Sequence, residues 1–131
     1  MDLTEKLKKI QSNNTTTPSK FIGRVFELRD VTHKEHLRTD SYAKHKALNE
    51  LYDQLIDQID AFVESYQGKY GIVEFAIGSI NVIDYMEYIE EFAKYTELAR
   101  TVFKDDYLKN QIDEMTSVIY STIYKLKYLK K

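Results

Sequence analysis

The sequence predicts an all-α fold: a four-helix bundle with one long connection between its second and third helices. Three observations carry this. Apolar residues recur at spacings of three and four in four separate segments, the period of amphipathic helices. A length of 131 residues leaves room for one hydrophobic core and no second one. Between the second and third periodic segments lies an apolar, β-branched stretch, GKYGIVEFAIGSIN, with three glycines and no evident hairpin partner.

Residues 1–17 read as an N-terminal arm, and 18–131 as the bundle. In the arm, Leu3, Leu7 and Ile10 form two amphipathic turns among Lys6, Lys8 and Lys9. The polar run SNNTTTPS then breaks them. Asp2 and Glu5 dilute the positive charge, so DNA binding through the arm is not expected. Thr17 caps the first bundle helix, with Pro18 at its first position, where a missing N–H costs nothing. Phe21, Ile22, Val25, Leu28 and Thr32 form its buried stripe, and Gly23 in that stripe marks a close helix approach.

The second helix runs from Ser41 to Gln67 without Gly or Pro, with Asp40 or Ser41 as its cap and Gly68 as its stop. Its apolar stripe is Leu48, Leu51, Tyr52, Leu55, Ile59, Phe62, Val63 and Tyr66. At 1.5 Å per residue it spans roughly 40 Å. The fourteen-residue connection, fully extended, reaches roughly 46–50 Å, enough to cross that length. A bundle of alternating up and down helices with the loop tucked in is the alternative.

The third helix is expected from about Val82 to Phe103, capped by Asn81. Tyr85, Ile89, Phe92, Thr96, Ala99 and Phe103 face inward. The fourth is expected from about Asp106 to Leu129, capped by Asp105. Leu108, Ile112, Met115, Ile119, Leu126 and Leu129 face inward, and Tyr120, Tyr124 and Tyr128 form an outer stripe. Lys125, Lys127, Lys130 and Lys131 complement the helix dipole.

Composition excludes several functions. A net charge of −2 argues against a general nucleic-acid surface. Without cysteine there is neither disulfide nor thiolate chemistry. No apolar run reaches the length of a membrane span or signal core, which points to the cytoplasm. Neither a phosphate-binding glycine loop nor a nucleophile–base arrangement is present. A single-chain di-iron bundle needs two Glu-x-x-His motifs, and Asp30-x-x-His33 is the nearest approach.

The chemistry concentrates between Arg29 and Gly68. His33, His36 and His45 are the chain's three histidines. His36 lies eleven residues after Val25, within about 20° of that apolar direction, so it points to the bundle interior or its edge. The turn RTDS brings His36 and His45 to one end of the bundle. His45, Asn49, Asp53, Asp57, Asp60 and Glu64 form a second flank of the long helix. Asp60 lies fifteen residues beyond His45, roughly 22 Å away, so the two cannot share a metal within one chain. Two long helices packed antiparallel about a two-fold axis would set His45 of one chain against Asp60 and Glu64 of its mate, twice over.

The order His-x-x-His, a helix break, His, then Asp-x-x-x-Glu resembles the Dps-like miniferritins, which are ferritin-superfamily bundles, and small phage-encoded proteins of that type. The resemblance covers about residues 20–71. It implies a ferritin-like bundle with its crossover between helices 2 and 3. It also implies Fe(II) oxidation at inter-subunit sites and ferric iron storage in a cage, by family a twelve-subunit one. Carried over, His36 and His45 are metal ligands from one subunit, and Asp60 and Glu64 from the other. His33 and Asn49 stand behind them. Asn49 occupies a position where many members have aspartate, Leu37 replaces a tryptophan, and the turn is about three residues shorter. Nitrogen and carboxylate donors suit one or two iron ions, zinc or manganese. The alternative expectation is an inactive ferritin-like oligomer with a structural or interaction role, in a phage and so in its host's cytoplasm.

Overall fold

The computed structural model describes residues 2–4 and 16–130. Among residues 16–130 four helices follow one another: α1 (Pro18–Arg38), α2 (Tyr42–Tyr70), α3 (Tyr85–Arg100) and α4 (Asp106–Tyr128). The described residues contain no strand. Of the arm, Leu3 and Thr4 are helical, whereas Leu7 and Ile10 of its expected amphipathic turns lie outside the described residues. Its last residues are held. Thr16 Oγ1 lies 2.8 Å from the Tyr95 hydroxyl, and Thr17 Oγ1 accepts from the Lys20 N–H at 3.2 Å, as a helix cap should.

Helix α1 packs on α2 and, more lightly, on α3, while α4 packs on both α2 and α3. Side-chain bonds give the directions. Thr16, Glu27 and Thr32 meet Tyr95, Tyr88 and Tyr85 in turn, so α1 and α3 are antiparallel. Residues 71–84 run up α1 from its start. The Ser19 hydroxyl donates to the Glu74 carbonyl at 2.6 Å, Ala76 lies against Gly23, and Gly78 against Glu27. Ile77 to Val82 then border a cleft with Asp30, Lys34 and Arg38. The connection therefore crosses the bundle's length, and α2 and α3 both run opposite to α1 on one diagonal. One such crossover is the connectivity of ferritin-like bundles.

The core is mostly apolar where the helices meet, with the Thr32–Tyr85 and Thr116–Thr96 bonds buried among the hydrocarbon side chains. Phe21, Phe62 and Phe103 interlock edge-to-face at 5.3–5.8 Å between centroids. Ile22, Leu28, Leu48, Leu51, Leu55, Ile59, Ile89, Leu108 and Ile112 are completely buried around them. Each such side chain contributes about 1.5–3 kcal/mol by leaving water.

Several boundaries differ from expectation, each for a local reason. Gly68 does not end α2; the helix runs through it to Tyr70, and Gly71 makes the exit at φ 90°. The Gly71 N–H still reaches the Gln67 carbonyl at 2.9 Å, and the Gln67 side chain accepts from Val73 N–H at 3.1 Å. Helix α3 begins after Asp84, not Asn81, because the Asp84 carboxylate accepts from the Glu87 N–H. It ends at Arg100, and Phe103 is buried in the turn beyond. Gly23 marks a close approach of the crossover backbone rather than of a helix: a Cβ there would lie 2.1 Å from the Ala76 carbonyl oxygen. Leu129 is half exposed, and Thr122 and Ile123 take the inward places near that end.

Asp105 stands at the cap position of α4 but its side chain does not cap it. Its carboxylate instead accepts from Lys69 Nζ and, at 2.5 Å, from the Tyr70 hydroxyl. The clamp ties the end of α2 to the start of α4. The Lys69 bond comes first among the causes holding the Asp105 carboxyl below its usual range, followed by the Tyr70 bond.

Two outcomes follow. Gly23→Ala should destabilise the chain by about 1–3 kcal/mol, because crossover backbone must move aside. Gly68→Ala, where nothing lies within 4 Å, should instead stabilise it by about 0.5–1 kcal/mol. Urea unfolding of both measures this, and equal effects would refute the strap contact. For Asp105, a depressed folded pKa stabilises the fold above the ordinary carboxylate range, and that stability is lost as pH falls through the folded value. Asp105→Asn should therefore lower Tm at neutral pH, and its deficit should shrink below about pH 4.

Candidate metal centre at the α1–α2 turn

Two helix ends build the site. Ser41 caps α2 by accepting from the Lys44 N–H at 3.2 Å, and Thr39 N–H closes α1 on the Glu35 carbonyl at 3.0 Å. A turn this tight sets the last turn of α1 beside the first of α2. It places His36 and His45 face to face, with ring centroids 3.6 Å apart and planes 22° from parallel.

The two rings clasp each other's backbone. His36 Nδ1 lies 2.8 Å from the His45 carbonyl oxygen, and His45 Nδ1 lies 2.8 Å from the His36 carbonyl oxygen. A carbonyl can only accept, so both Nδ1 atoms must carry the proton. Helix ends leave their last carbonyls without intrahelical partners, and His36 is in the last turn of α1. A carbonyl inside a helix still has a second lone pair, which the His45 carbonyl offers. When neutral, both imidazoles then keep an Nε2 lone pair free of these bonds. A backbone-anchored Nδ1–H with Nε2 left open is the arrangement of metal-ligating histidine.

Around the pair stands an aromatic and polar shell. His36 is only 7% exposed, at the core's edge as its register implied. Tyr52 packs flat on His33 at 4.4 Å and edge-on to His36 at 5.3 Å. Its hydroxyl donates to Asn49 Oδ1 at 2.7 Å, and Asn49 Nδ2 donates to Asp53 at 3.4 Å. Lys44 Nζ pairs with Glu35 at 3.0 Å. On the other side of α2, Lys125 from α4 donates to Glu50 at 2.9 Å, a bond that is the first cause of a lowered Glu50 pKa. Lys127 pairs with Glu90, so both lysines reach across to other helices besides facing their own helix end.

The structure thus gathers His36, His45, His33 and Asn49 at one place. Asp60 and Glu64 lie far along α2 and are exposed. Among the described residues no three His, Cys, Asp or Glu side chains sit close enough to hold a metal. Sequence reasoning counted Tyr52 as core stripe and missed it as the site's platform. Its spacing of seven from His45, two helical turns on the same face, is the signal that could have found it.

What the fold and this turn define is a class: a four-helix bundle with a crossover strap and a stacked histidine pair at a helix hairpin. The chain belongs to a family of unknown function, DUF5856, whose pattern matches residues 36–126 and so includes both histidines, Asp60 and Glu64. It is also similar to an uncharacterized 14.6 kDa protein in the mobD-ri intergenic region of Enterobacteria phage T4. The two are 26% identical over 127 residues, covering 88% of this chain and 92% of the other. No solved structure matches. No described helix is long and apolar enough to cross a membrane.

The stacked pair makes a direct expectation. Long-range nitrogen–proton NMR at neutral pH should find His36 and His45 both in the Nδ1–H form. That form is set by two carbonyl bonds, so an Nε2–H signal from either ring would refute the clasp.

Proposed function

We propose that this chain binds Fe(II) as a substrate at sites shared between two copies, oxidises it, and stores the ferric product inside an oligomer. The observation that supports this is the His36–His45 clasp, which leaves the Nε2 lone pair of each ring free of the carbonyl bonds. Imidazole nitrogens with carboxylate oxygens suit Fe(II), Zn(II) or Mn(II). In this reading Asp60 and Glu64 come from a mate whose α2 packs antiparallel about a two-fold axis, because 22 Å of helix, roughly, separates them from their own His45. Each Fe(II) gives one electron to dioxygen or peroxide. The chain's part is to hold the ion, with His33, Tyr52 and Asn49 fixing the ligand side chains. The working place of such a protein is the cytoplasm, a host's if the chain is phage-encoded.

A second reading has its own observation. The same clasp joins the two helices of a hairpin without any metal, and Asn49 is no carboxylate. On that basis the chain would be a helical oligomer with a structural or interaction role, its partners to be sought among the proteins of a phage particle or an infected cell.

Mixing separates the two. His45→Ala and Glu64→Ala should each abolish rapid Fe(II) oxidation. Unfolded together and reassembled, roughly a quarter of all sites should recover, since mixed dimers contain one site with no lesion. Binding should also weaken as pH falls, because protons compete for Nε2. Mixed dimers that form and stay inactive would refute the shared site, and a wild-type chain without Fe(II) binding would leave the structural reading.

A further inference from the structure

We propose that the crossover strap is a docking surface for the strap of a second copy of this chain, the two lying antiparallel across a two-fold axis. The inference goes beyond the metal-binding reading and uses none of its residues.

The strap is apolar and yet lies in water. Residues 72–83 read IVEFAIGSINVI, and Glu74 is their only charge. Ile72, Phe75, Ile77, Ile80 and Ile83 are between 36% and 93% exposed. The Phe75 ring stacks on Phe26 of α1 at 5.3 Å, which continues the apolar surface onto the helix. Together the five strap residues leave roughly 600 Å² in water, the upper end of what a monomer keeps in one patch. A stable interface takes about 800 Å² from each partner, so the strap supplies most of one side.

The order of residues points to the partner. Read inwards from both ends, the strap is nearly a palindrome: Ile72 and Ile83, Val73 and Val82, Glu74 and Asn81, Phe75 and Ile80, Ala76 and Ser79, with Ile77 and Gly78 at the centre. Burial has the same symmetry. Val73 and Val82 pack against the core, and every other residue from 72 to 83 is exposed. A two-fold axis between Ile77 and Gly78 sets each residue against its counterpart in the mate, and each contact occurs twice. Large side chains then meet large ones at the flanks. Ala76, Gly78 and Ser79 fall at the centre, where two backbones come closest. Glu74 meets the Asn81 amide, which can donate to it, and not a second carboxylate. A surface shaped for a different protein has no need of such symmetry, whereas pairing with a second copy requires it.

The native chain has no cysteine, so a cross-link tests the register cleanly. Positions 72 and 83 of one chain lie eleven residues apart, roughly 36 Å when extended. A disulfide needs Cα atoms about 4.4–6.8 Å apart. Ile72→Cys and Ile83→Cys chains, mixed under subunit exchange and mildly oxidised with a chelator present, should cross-link into dimers. Neither variant alone should do so at a comparable rate. By sedimentation the wild type should be a dimer at micromolar concentration. Ile83→Asp should raise the dissociation constant at least about 10-fold, with circular dichroism showing the fold intact at so exposed a position. A monomeric wild type would overturn the pairing and leave the strap to another protein or to the chain's own arm. Dimers that do not cross-link in the mixture, or that cross-link as fast in either variant alone, would overturn the antiparallel strap contact. The chelator separates this inference from the proposed function. Paired straps on a chain that binds no Fe(II) would overturn that function alone, and Fe(II) binding with unpaired straps would overturn this inference alone.

Discussion

Fourteen residues have to span the bundle, and most of the fold follows from how they do it. Residues 71–84 stay extended and lie along α1, so α2 and α3 run in the same direction on opposite corners. That path needs room at two places. Gly23 admits the Ala76 carbonyl, and Gly78 admits the Glu27 carboxylate. Glu27 is only 5% exposed and must be satisfied there. It accepts from the Tyr88 hydroxyl at 2.9 Å and faces Arg24 at 3.6 Å. Burial first, and then the Glu27 charge, push the Tyr88 hydroxyl far above its usual range, so it stays a donor. The strap is not fully covered: Ile72 and Ile83 are 83% and 93% exposed.

At the other connection the chain turns in three residues, and the histidine clasp belongs to that economy of length. Each ring satisfies the other residue's carbonyl while stacking on its face. Buried polar groups without partners are costly, so the clasp does structural work at the helix ends whether or not a metal arrives. The same bonds decide which nitrogen is left over for chemistry. One pair of hydrogen bonds thus joins the two helix ends and fixes the tautomer of both rings, and a substitution at either histidine disturbs both.

Helix α2 divides its surface by length. Its first turns carry the histidine pair, Tyr52 and the ion pair of Glu50 with Lys125. Its later turns carry Asp57, Asp60 and Glu64 on the exposed side, and then the Lys69–Tyr70–Asp105 clamp. A continuous helix of 29 residues keeps these groups apart within one chain. Any chemistry that needs both ends of the flank must therefore recruit a second chain, a constraint of rigid geometry rather than of residue type. Membership of the DUF5856 family and the likeness to the phage T4 protein fit this architecture without naming an activity.

The sequence by itself determined the helices, their inward faces and the end of the bundle where the histidines gather. Those features depend on local periodicity and capping, which neighbouring residues decide. It also placed His36 at the core's edge and allowed the crossover by length alone. Only the tertiary structure chose the crossover over an alternating bundle, because that choice depends on contacts between residues some fifty positions apart, such as Ser19 with Glu74 and Thr32 with Tyr85. It moved the end of α2 from Gly68 to Gly71, since a glycine stops a helix only where the chain must turn left-handed. Asp105 was legible as a cap by position, yet its carboxylate serves Lys69 and Tyr70 from another helix. The histidine clasp was hidden for the same reason: residue spacing can bring two rings to one end, but which nitrogen meets which carbonyl is fixed by how closely two helices pack.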